Sequence, residues 1–570
     1  MGELNGAAVT VTAERSAAAT LARRRWRRGA LAWVRGTALA GVVLFACYLC
    51  QSRTVAVGSD GASQALQAWD LLHGNLLLHG WWVTDVSFYT TELPQYALIE
   101  LARGLSTDVI HVAGAMTYTL LVLTAALLAR GRTSGTDGVA RALIAAGIML
   151  APQLGPGTQT LVLSPDHTGT SIPILLVFLL IDRSGYLEGG GSGRDARWCI
   201  PALVWLGLSW TALADAMTVF IAVVPLSLVC AIRMWHGMTR AGEPFTAYRR
   251  EAFLAIAALF SVPTELAAIA MIRADGGWQV NGLRTGLAAG GQLIENLWLA
   301  VEGVLELFGA NVFAATTAFA TALAVVHLAG LALAVTGFLT AARQFLRRDY
   351  LIEAVLVTGI VIDLAAYLAG VQAVNIASTR EIAAVLPFAA VLAGRCLAPP
   401  CPARRSWLYV FLAFYVAGLG YAAAQAPAAP QYAGLAAWLR AHHLTDGLSG
   451  YHQATIVTLE TGGAVSLRPV TTGEHGRLAR YAWNTSAAWY DPAARTATFL
   501  VLPAPGAAPG FAPTAAPGLT TARAIATFGP PATIYRYAGY EILVWPRGAN
   551  LLADLRLNNP LQVTNGFVPI

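Results

Sequence analysis

The chain has 570 residues, of which 56% are hydrophobic and 12% are charged. A soluble globular protein has about 25% charged residues, so this composition excludes that class and indicates a membrane protein. The net charge of +6 does not predict a nucleic-acid partner, because most arginines lie in short loops between apolar stretches, where membrane topology explains them. All 37 basic residues are arginine. With abundant alanine and glycine, this indicates a high-GC bacterial genome, and we expect an actinobacterial one.

The amino-terminal segment is basic and precedes an apolar stretch. Residues 1–28, which include five arginines between Arg23 and Arg28, are predicted to form a cytoplasmic tail. The apolar run over residues 30–50 exceeds the 7–15 residues of a signal peptide. We therefore predict a retained first span.

Eleven apolar stretches are candidate membrane spans. The best approach the roughly 20 residues that cross ~30 Å of hydrocarbon, and three are short or broken. Every second loop between them is rich in arginine, as the positive-inside rule requires of cytoplasmic loops, and the last such loop is assigned Arg395, Arg404 and Arg405. The pattern predicts a helical membrane domain over residues 29–426, with the acidic loops and the carboxyl terminus outside. The stretches are residues 30–50, 111–128, 217–235, 252–272, 312–342, 351–370, 381–397 and 407–424, and the shorter 140–151, 168–181 and 199–213.

The first outer loop, residues 51–108, is long and patterned. From Ser59 and Asp60 the apolar residues recur with helical spacing as far as Leu72, and Gly74-Asn75 can end the helix. We expect an amphipathic helix on the membrane surface, with Ser59 or Asp60 as its N-cap. Four tryptophans are expected in the interfacial belt: Trp81, Trp82, Trp278 and Trp298.

The carboxyl-terminal segment, residues 427–570, differs from the apolar part. A helix is predicted over residues 432–442, and short β-like segments follow, separated by connections rich in proline and glycine. This length can support its own core, so we predict a small extracytoplasmic α/β domain. The β-like segments are residues 454–459, 464–470, 497–502 and 532–546.

Several short motifs follow one another along the chain. Asp60 comes after the first span, the phrase Trp-Asp-Leu-Leu-His-Gly-Asn begins at Trp69, and Glu92-Leu93-Pro94 comes next. Late in the chain, Arg380 and Pro387 lie at the start of a span that is entered from the outside. This ordered set of motifs resembles that of the GT-C superfamily, the multispan glycosyltransferases that use polyprenyl-phosphate sugars. Glu381 stands where the superfamily often has an aromatic residue, and the element around Pro94 lacks the usual lysine and second proline. The resemblance implies a GT-C-like fold and transfer of a sugar from a polyprenyl-phosphate donor to an envelope glycan, lipid or protein.

The resemblance assigns roles to the outer carboxylates and arginines. A carboxylate at the mouth of a cavity can accept the proton of an acceptor hydroxyl, and Asp60 is the candidate base; alternatively it only caps its helix. Arginine binds phosphate bidentately, so Arg380 and Arg284 are candidates for the donor phosphate. The alternative for Arg380 is a salt bridge with Glu381 or another carboxylate.

Further candidates lie in the same outer loops. Asp85 and Glu92 could bind the acceptor or a metal, and Asp166 and His167 precede a span. A divalent cation needs several oxygen ligands and no spacing here specifies one, so the cofactor stays unknown, with a divalent cation as one option.

Two other functions remain open. A secondary transporter would use charges within spans, such as Glu265 and Asp363, whereas Asp215 is predicted at an outer turn between two spans. A transporter also predicts internal repeats, and none is visible. A non-catalytic envelope assembly protein would have the same GT-C-like fold but would not transfer a sugar. No P-loop or GxGxxG motif in a suitable context is present, and the expected partners are membrane lipids and the lipid-linked sugar, not nucleic acid.

Overall fold

The computed structural model describes residues 33–84, 86–165, 167–187, 196–280, 286–315, 317–398, 406–473, 476–504 and 518–556. The predicted tail, residues 1–28, lies outside them. The described chain is mostly helical, with a three-stranded and a six-stranded sheet.

Helices dominate the chain up to residue 423. They are α1 (Trp33–Ser52), α2 (Ser59–Leu72), α3 (Glu92–Arg103), α4 (Asp108–Arg130), α5 (Gly135–Met149), α6 (Pro156–Val162), α7 (Thr168–Ser184), α8 (Ala196–Ala214), α9 (Val224–Arg240), α10 (Arg249–Ala274), α11 (Gly290–Leu307), α12 (Ala318–Arg343), α13 (Leu351–Ala369), α14 (Val385–Leu397) and α15 (Ser406–Ala423). Shorter helical turns are a π-helix at Val219–Val223 and 3₁₀ turns at Phe245–Tyr248, Arg348–Tyr350 and Ile376–Ile382. Two short strands, β1 (Trp81–Val83) and β2 (Gln279–Val280), interrupt the series.

The predicted membrane fold is confirmed. Each of the eleven apolar stretches contains a helix, although the stretch 312–342 becomes helical only from Ala318. Seven described helices are long and apolar enough to cross a membrane. The turn at Ile376–Ile382 and α14, bent by 52°, make an eighth if they count as one span. At 1.5 Å per residue, the 15 and 17 residues of α5 and α7 extend only about 23–26 Å, as expected of the shorter stretches.

Helix α14 lies at the centre of the helical bundle. It packs against α4, α5, α12 and α13, and its residues from Val385 to Gly394 are buried. At its end the Arg395 guanidinium contacts Glu353 of α13 at 2.6 Å and Asp182 of α7 at 2.9 Å. The sequence assigned Arg395 to a basic loop. It instead lies inside the bundle, because these two carboxylates compensate its charge.

The segment between α1 and α4 is covered by protein. Helix α2, predicted to lie on a membrane surface, packs against α3 and a later helix, and most of it from Ser59 to Ala68 is buried. Trp81 and Trp278 are each only 1% exposed, so their assignment to an interfacial belt is wrong. Trp298, at 71% exposed, fits that assignment.

The remaining elements form a mixed six-stranded sheet flanked by helices, and one further short strand, β6, which pairs outside that sheet. They are α16 (Ala433–Ala441), β3 (Asp446–Ser449), α17 (Tyr451–Glu460), β4 (Ser466–Thr472), β5 (Leu478–Arg480), β6 (Thr485–Ser486), β7 (Phe499–Pro503), α18 (Thr521–Phe528), β8 (Thr533–Tyr537), β9 (Tyr540–Val544) and α19 (Leu551–Arg556). The six-stranded sheet has the order β5-β4-β3-β7-β9-β8, with β3 parallel to β4 and β7. The predicted helix at residues 432–442 and the strands at 464–470, 497–502 and 532–546 correspond to α16, β4, β7 and the β8–β9 hairpin.

One predicted strand is a helix. Residues 454–459 lie in α17, which connects the parallel strands β3 and β4. Ala454, Ile456, Val457 and Leu459 are all fully buried, because α17 lies between the sheet and α2. A short apolar run buried on every side has no helical period, so its sequence does not distinguish helix from strand.

The carboxyl-terminal elements share a core with the α1–α4 segment. One hydrophobic cluster joins Ala62 and Leu93 to Ile456 and Phe499. A three-stranded sheet with the order β2-β1-β6 also connects the two regions, with Trp81 of β1 paired to Ser486 of β6. The carboxyl-terminal region is therefore bound to the segment that contains Asp60.

Candidate functional site

Asp60 lies in the first turn of α2 without capping it. The N-cap residue is Gly58, and no side chain among the described residues caps this helix. Instead, Asp60 Oδ1 accepts a hydrogen bond of 2.9 Å from the Tyr451 hydroxyl. Its side chain is 40% exposed, so a ligand can reach it.

Tyr451 comes from the carboxyl-terminal region. It is the first residue of α17, directly after β3 and Gly450, and it is buried. The Asn484 amide donates to its hydroxyl at 3.2 Å, and Ser63 Oγ lies 3.3 Å away. The Ser63 hydroxyl in turn donates to the Asn484 backbone carbonyl at 2.9 Å. These bonds fix the hydroxyl that holds Asp60, and Tyr451 is not among the candidates selected from the sequence.

Arg380 is on the other side of Asp60. It lies in the 3₁₀ turn Ile376–Ile382, and its Nη1 is 3.7 Å from Asp60 Oδ2. Its Nε is also 3.7 Å from Glu381 Oε1. Both distances are longer than a normal hydrogen bond. The guanidinium lies at an equal distance from the two carboxylates and forms an ion pair with each. The structure therefore brings together the two motif residues that the sequence selected as base and phosphate ligand.

A buried chain of ionisable groups continues from Glu381. Glu381 Oε2 is 3.2 Å from His167 Nε2, and His167 Nδ1 is 2.7 Å from Asp215 Oδ2. The Thr170 hydroxyl donates to the same Asp215 oxygen, and the Met217 backbone N–H donates to the other. His167, a predicted candidate, is thus held between two carboxylates.

The opposite charges in this series of side chains stabilise one another. Burial alone would lower the pKa of His167, but Asp215 and Glu381 outweigh it and hold that pKa well above its usual value. Burial would likewise raise the pKa of Asp215, and the His167 imidazolium holds it below its usual value instead. The pair is therefore ionised at neutral pH. Asp363 of α13, only 1% exposed, is a further carboxyl close enough to interact electrostatically with His167 and Glu381.

Glu92 is buried beside this chain. It is the first residue of α3, fully buried, and its carboxyl group packs on Gly169 of α7, where any Cβ would collide with it. Neither oxygen has a hydrogen-bond partner among the described residues. Burial, with a smaller contribution from Asp215, raises the pKa of Glu92 to about 8. At neutral pH Glu92 is therefore mainly protonated.

Replacing Glu92 with glutamine should stabilise the protein at alkaline pH. A glutamate with a raised folded pKa is protonated when folded but ionised when unfolded, so its contribution to stability falls as pH rises from about 4.5 towards 8. We expect Glu92→Gln to unfold at the same temperature as wild type near pH 4.5 and at a higher temperature at pH 8. Thermal unfolding in detergent, followed by tryptophan fluorescence, measures this. Glu295→Gln, at an exposed position of α11, is the control and should show no such difference. An equal shift of the Glu92→Gln unfolding temperature at both pH values would contradict the prediction.

Three predicted candidates, Asp85, Asp166 and Arg284, lie outside the described residues. Within the ranges that the structure describes, no three His, Cys, Asp or Glu side chains converge in a way that could hold a metal ion.

Comparison with known proteins shows a distant structural likeness. No family model and no curated protein matches this chain. The chain is similar to the crystal structure of ArnT from Cupriavidus metallidurans bound to undecaprenyl phosphate, with a TM-score of 0.40 and 15% identity. The likeness covers 91% of this chain and 98% of that one. It is too distant to assign residues.

Proposed function

We propose that this protein is a membrane glycosyltransferase of the GT-C type. It transfers a sugar from a polyprenyl-phosphate donor to an acceptor of the cell envelope, which is a glycan, a lipid or a protein. In the proposed topology the amino terminus is cytoplasmic, and α2, the 3₁₀ turn with Arg380 and the carboxyl-terminal domain (residues 427–570) lie outside.

The observation that carries the proposal is the approach of Asp60 to Arg380. Both belong to the motifs that resemble the superfamily, and their side chains meet at 3.7 Å although they lie in distant parts of the chain. A carboxylate beside a guanidinium suits this reaction, because one accepts the proton of the acceptor hydroxyl and the other binds the phosphate that leaves. Asp60 and Arg380 are 40% and 31% exposed, so both can meet a substrate.

The buried chain behind Arg380 has a positioning role in this proposal. Glu381 contacts both Arg380 and the His167 imidazolium, and Asp215 keeps that imidazolium charged. The charges alternate from Asp60 to Asp215, so each group fixes its neighbour. Preorganised charge of this kind lets a site stabilise a departing phosphate without rearrangement.

Transfer by purified protein tests the proposal. The full chain is reconstituted in liposomes and incubated with a panel of radiolabelled polyprenyl-phosphate sugars and with lipid, glycan and peptide acceptors. We expect transfer from at least one donor. Well-folded protein that transfers no sugar from any donor in the panel would contradict it and favour a non-catalytic assembly protein.

The Tyr451 hydroxyl should affect the transfer rate. A hydrogen bond to a charged group contributes about 1.5–3 kcal/mol, and here it orients the proposed base through Oδ1. Tyr451→Phe is therefore expected to lower kcat about tenfold and to change KM little. Tyr535→Phe is the matched control, since that ring is partly exposed on β8 and makes no described contact with Asp60. An unchanged kcat in Tyr451→Phe would exclude a role for Tyr451.

A proton-coupled transporter is the second candidate, and Asp363 favours it. This carboxyl lies within α13, a candidate span, and has no hydrogen-bond partner among the described residues. Buried charges within spans are typical of proton pathways. Proteoliposomes loaded with a pH-sensitive dye distinguish the two functions: substrate-dependent proton uptake that Asp363→Asn abolishes would favour transport.

A further inference from the structure

A large groove runs along α1 and does not include Asp60 among its lining residues. One wall is formed by Thr37, Gly41 and Phe45 of α1, and the other includes Leu120 and Leu123 of α4. Its volume is about 1500 Å³. Small-molecule pockets measure about 300–1000 Å³, so this groove has room for a lipid.

One end of the groove is basic. Arg130, Arg132 and Arg183 line it, and none of the other described residues that line the groove is acidic. The Arg130 guanidinium lies over the Trp33 ring, 4.0 Å from its centroid, which holds it in place. The start of α5 at Gly135 also lines this end, and Asp137 lies in its first turn. Asp182 lies beside Gly131 at the same end, but its charge is compensated by Arg395.

The length of the groove matches one leaflet of the bilayer. Its wall on α1 extends from Trp33 to Phe45, a rise of about 18 Å at 1.5 Å per residue. Half of a ~30 Å hydrocarbon core is about 15 Å. The apolar part thus accommodates acyl chains while the arginines lie at the depth of the lipid head groups.

We propose that this groove binds an anionic phospholipid. Arg130, Arg132 and Arg183 bind its phosphate, and its acyl chains lie between α1 and α4. Arginine forms strong, charge-assisted bonds to phosphate. A zwitterionic lipid brings its own ammonium group, which the three arginines repel, so the groove selects phosphatidylglycerol over phosphatidylcholine. In the topology proposed above this is the cytoplasmic leaflet, and the site is independent of sugar transfer.

Native mass spectrometry of the full-length protein tests this proposal. The protein in detergent is mixed with equal amounts of phosphatidylglycerol and phosphatidylcholine of identical chains, and the retained lipid is counted. We expect about tenfold preference for phosphatidylglycerol. The double variant Arg130→Gln/Arg183→Gln should lose that preference. Arg343→Gln/Arg347→Gln, which removes two exposed arginines at the end of α12, should keep it.

A second variant addresses the apolar part. Ala38→Phe fills the groove beside α1 without changing its charge, and it should reduce retention of phosphatidylglycerol at least fivefold. This keeps the proposal testable if the arginine variant does not fold, as judged by its thermal unfolding. Equal retention of both lipids by wild type, full preference in Arg130→Gln/Arg183→Gln, wild-type retention in Ala38→Phe, or displacement of phosphatidylglycerol by an equimolar polyprenyl phosphate would each overturn it.

Discussion

Asp60→Asn is expected to lower kcat for sugar transfer by about 10²–10⁴-fold, the usual contribution of a general base. Asparagine keeps the shape of the side chain and can still accept the Tyr451 hydrogen bond, but it cannot take a proton from the acceptor hydroxyl. Since Asp60 is partly exposed and does not cap α2, the variant should fold. Initial rates with radiolabelled donor measure the loss.

Glu295→Gln is the matched control for Asp60→Asn. Glu295 is an exposed carboxylate of α11, expected on the same side of the membrane, and its replacement should leave the rate unchanged. Transfer that survives Asp60→Asn at more than a tenth of the wild-type rate would exclude Asp60 as the base and leave Glu381 as the nearest alternative carboxylate.

Arg395→Met is expected to destabilise the protein by about 3–5 kcal/mol, the effect of breaking a buried ion pair. Arg395 is 8% exposed and bridges Glu353 and Asp182, and it also donates to the Leu128 carbonyl of α4 at 3.0 Å. Methionine leaves two buried carboxylates without a counter-charge among three helices. The unfolding temperature in detergent, or the denaturant midpoint, measures the loss.

Arg395→Lys and Arg347→Met separate charge from geometry in that experiment. Lysine keeps the charge but cannot bridge both carboxylates with a planar fork, so we expect an intermediate loss of stability. Arg347 is exposed near the end of α12, and its replacement should have little effect. If Arg395→Met unfolded at the wild-type temperature, the network would contribute nothing to stability.

The apolar stretches were predictable because a membrane imposes a length and a composition on every span. The same reasoning placed Arg395 in a loop. The sequence around an arginine near a helix end does not show whether that arginine lies in a loop or in a buried ion pair. In the carboxyl-terminal segment, the pattern of residues 454–459 predicted a strand, whereas these residues form part of α17. Recognising Ser449-Gly450-Tyr451 as the junction between a strand and a helix would have pointed to Tyr451.

The candidate site was predictable only in part. Asp60 and Arg380 could be selected because short motifs surround them, and His167 because it precedes a span. Asp215 and Glu381 could not be recognised as partners of His167, since a loop and a 3₁₀ turn bring them there from distant parts of the chain. Contacts of this kind depend on how the helices pack against one another. A single sequence contains no periodicity or spacing from which that packing can be predicted.

The bond between Asp60 and Tyr451 joins residues 391 positions apart. Synthesis proceeds at about 5–20 residues per second, so about 20–80 s separate the appearance of the two residues at the ribosome. During this interval α2 lacks the cover that buries it, and the carboxylate lacks its hydroxyl partner. An incomplete nascent chain therefore has no assembled site, and a truncated product released early would be inactive as well as poorly folded.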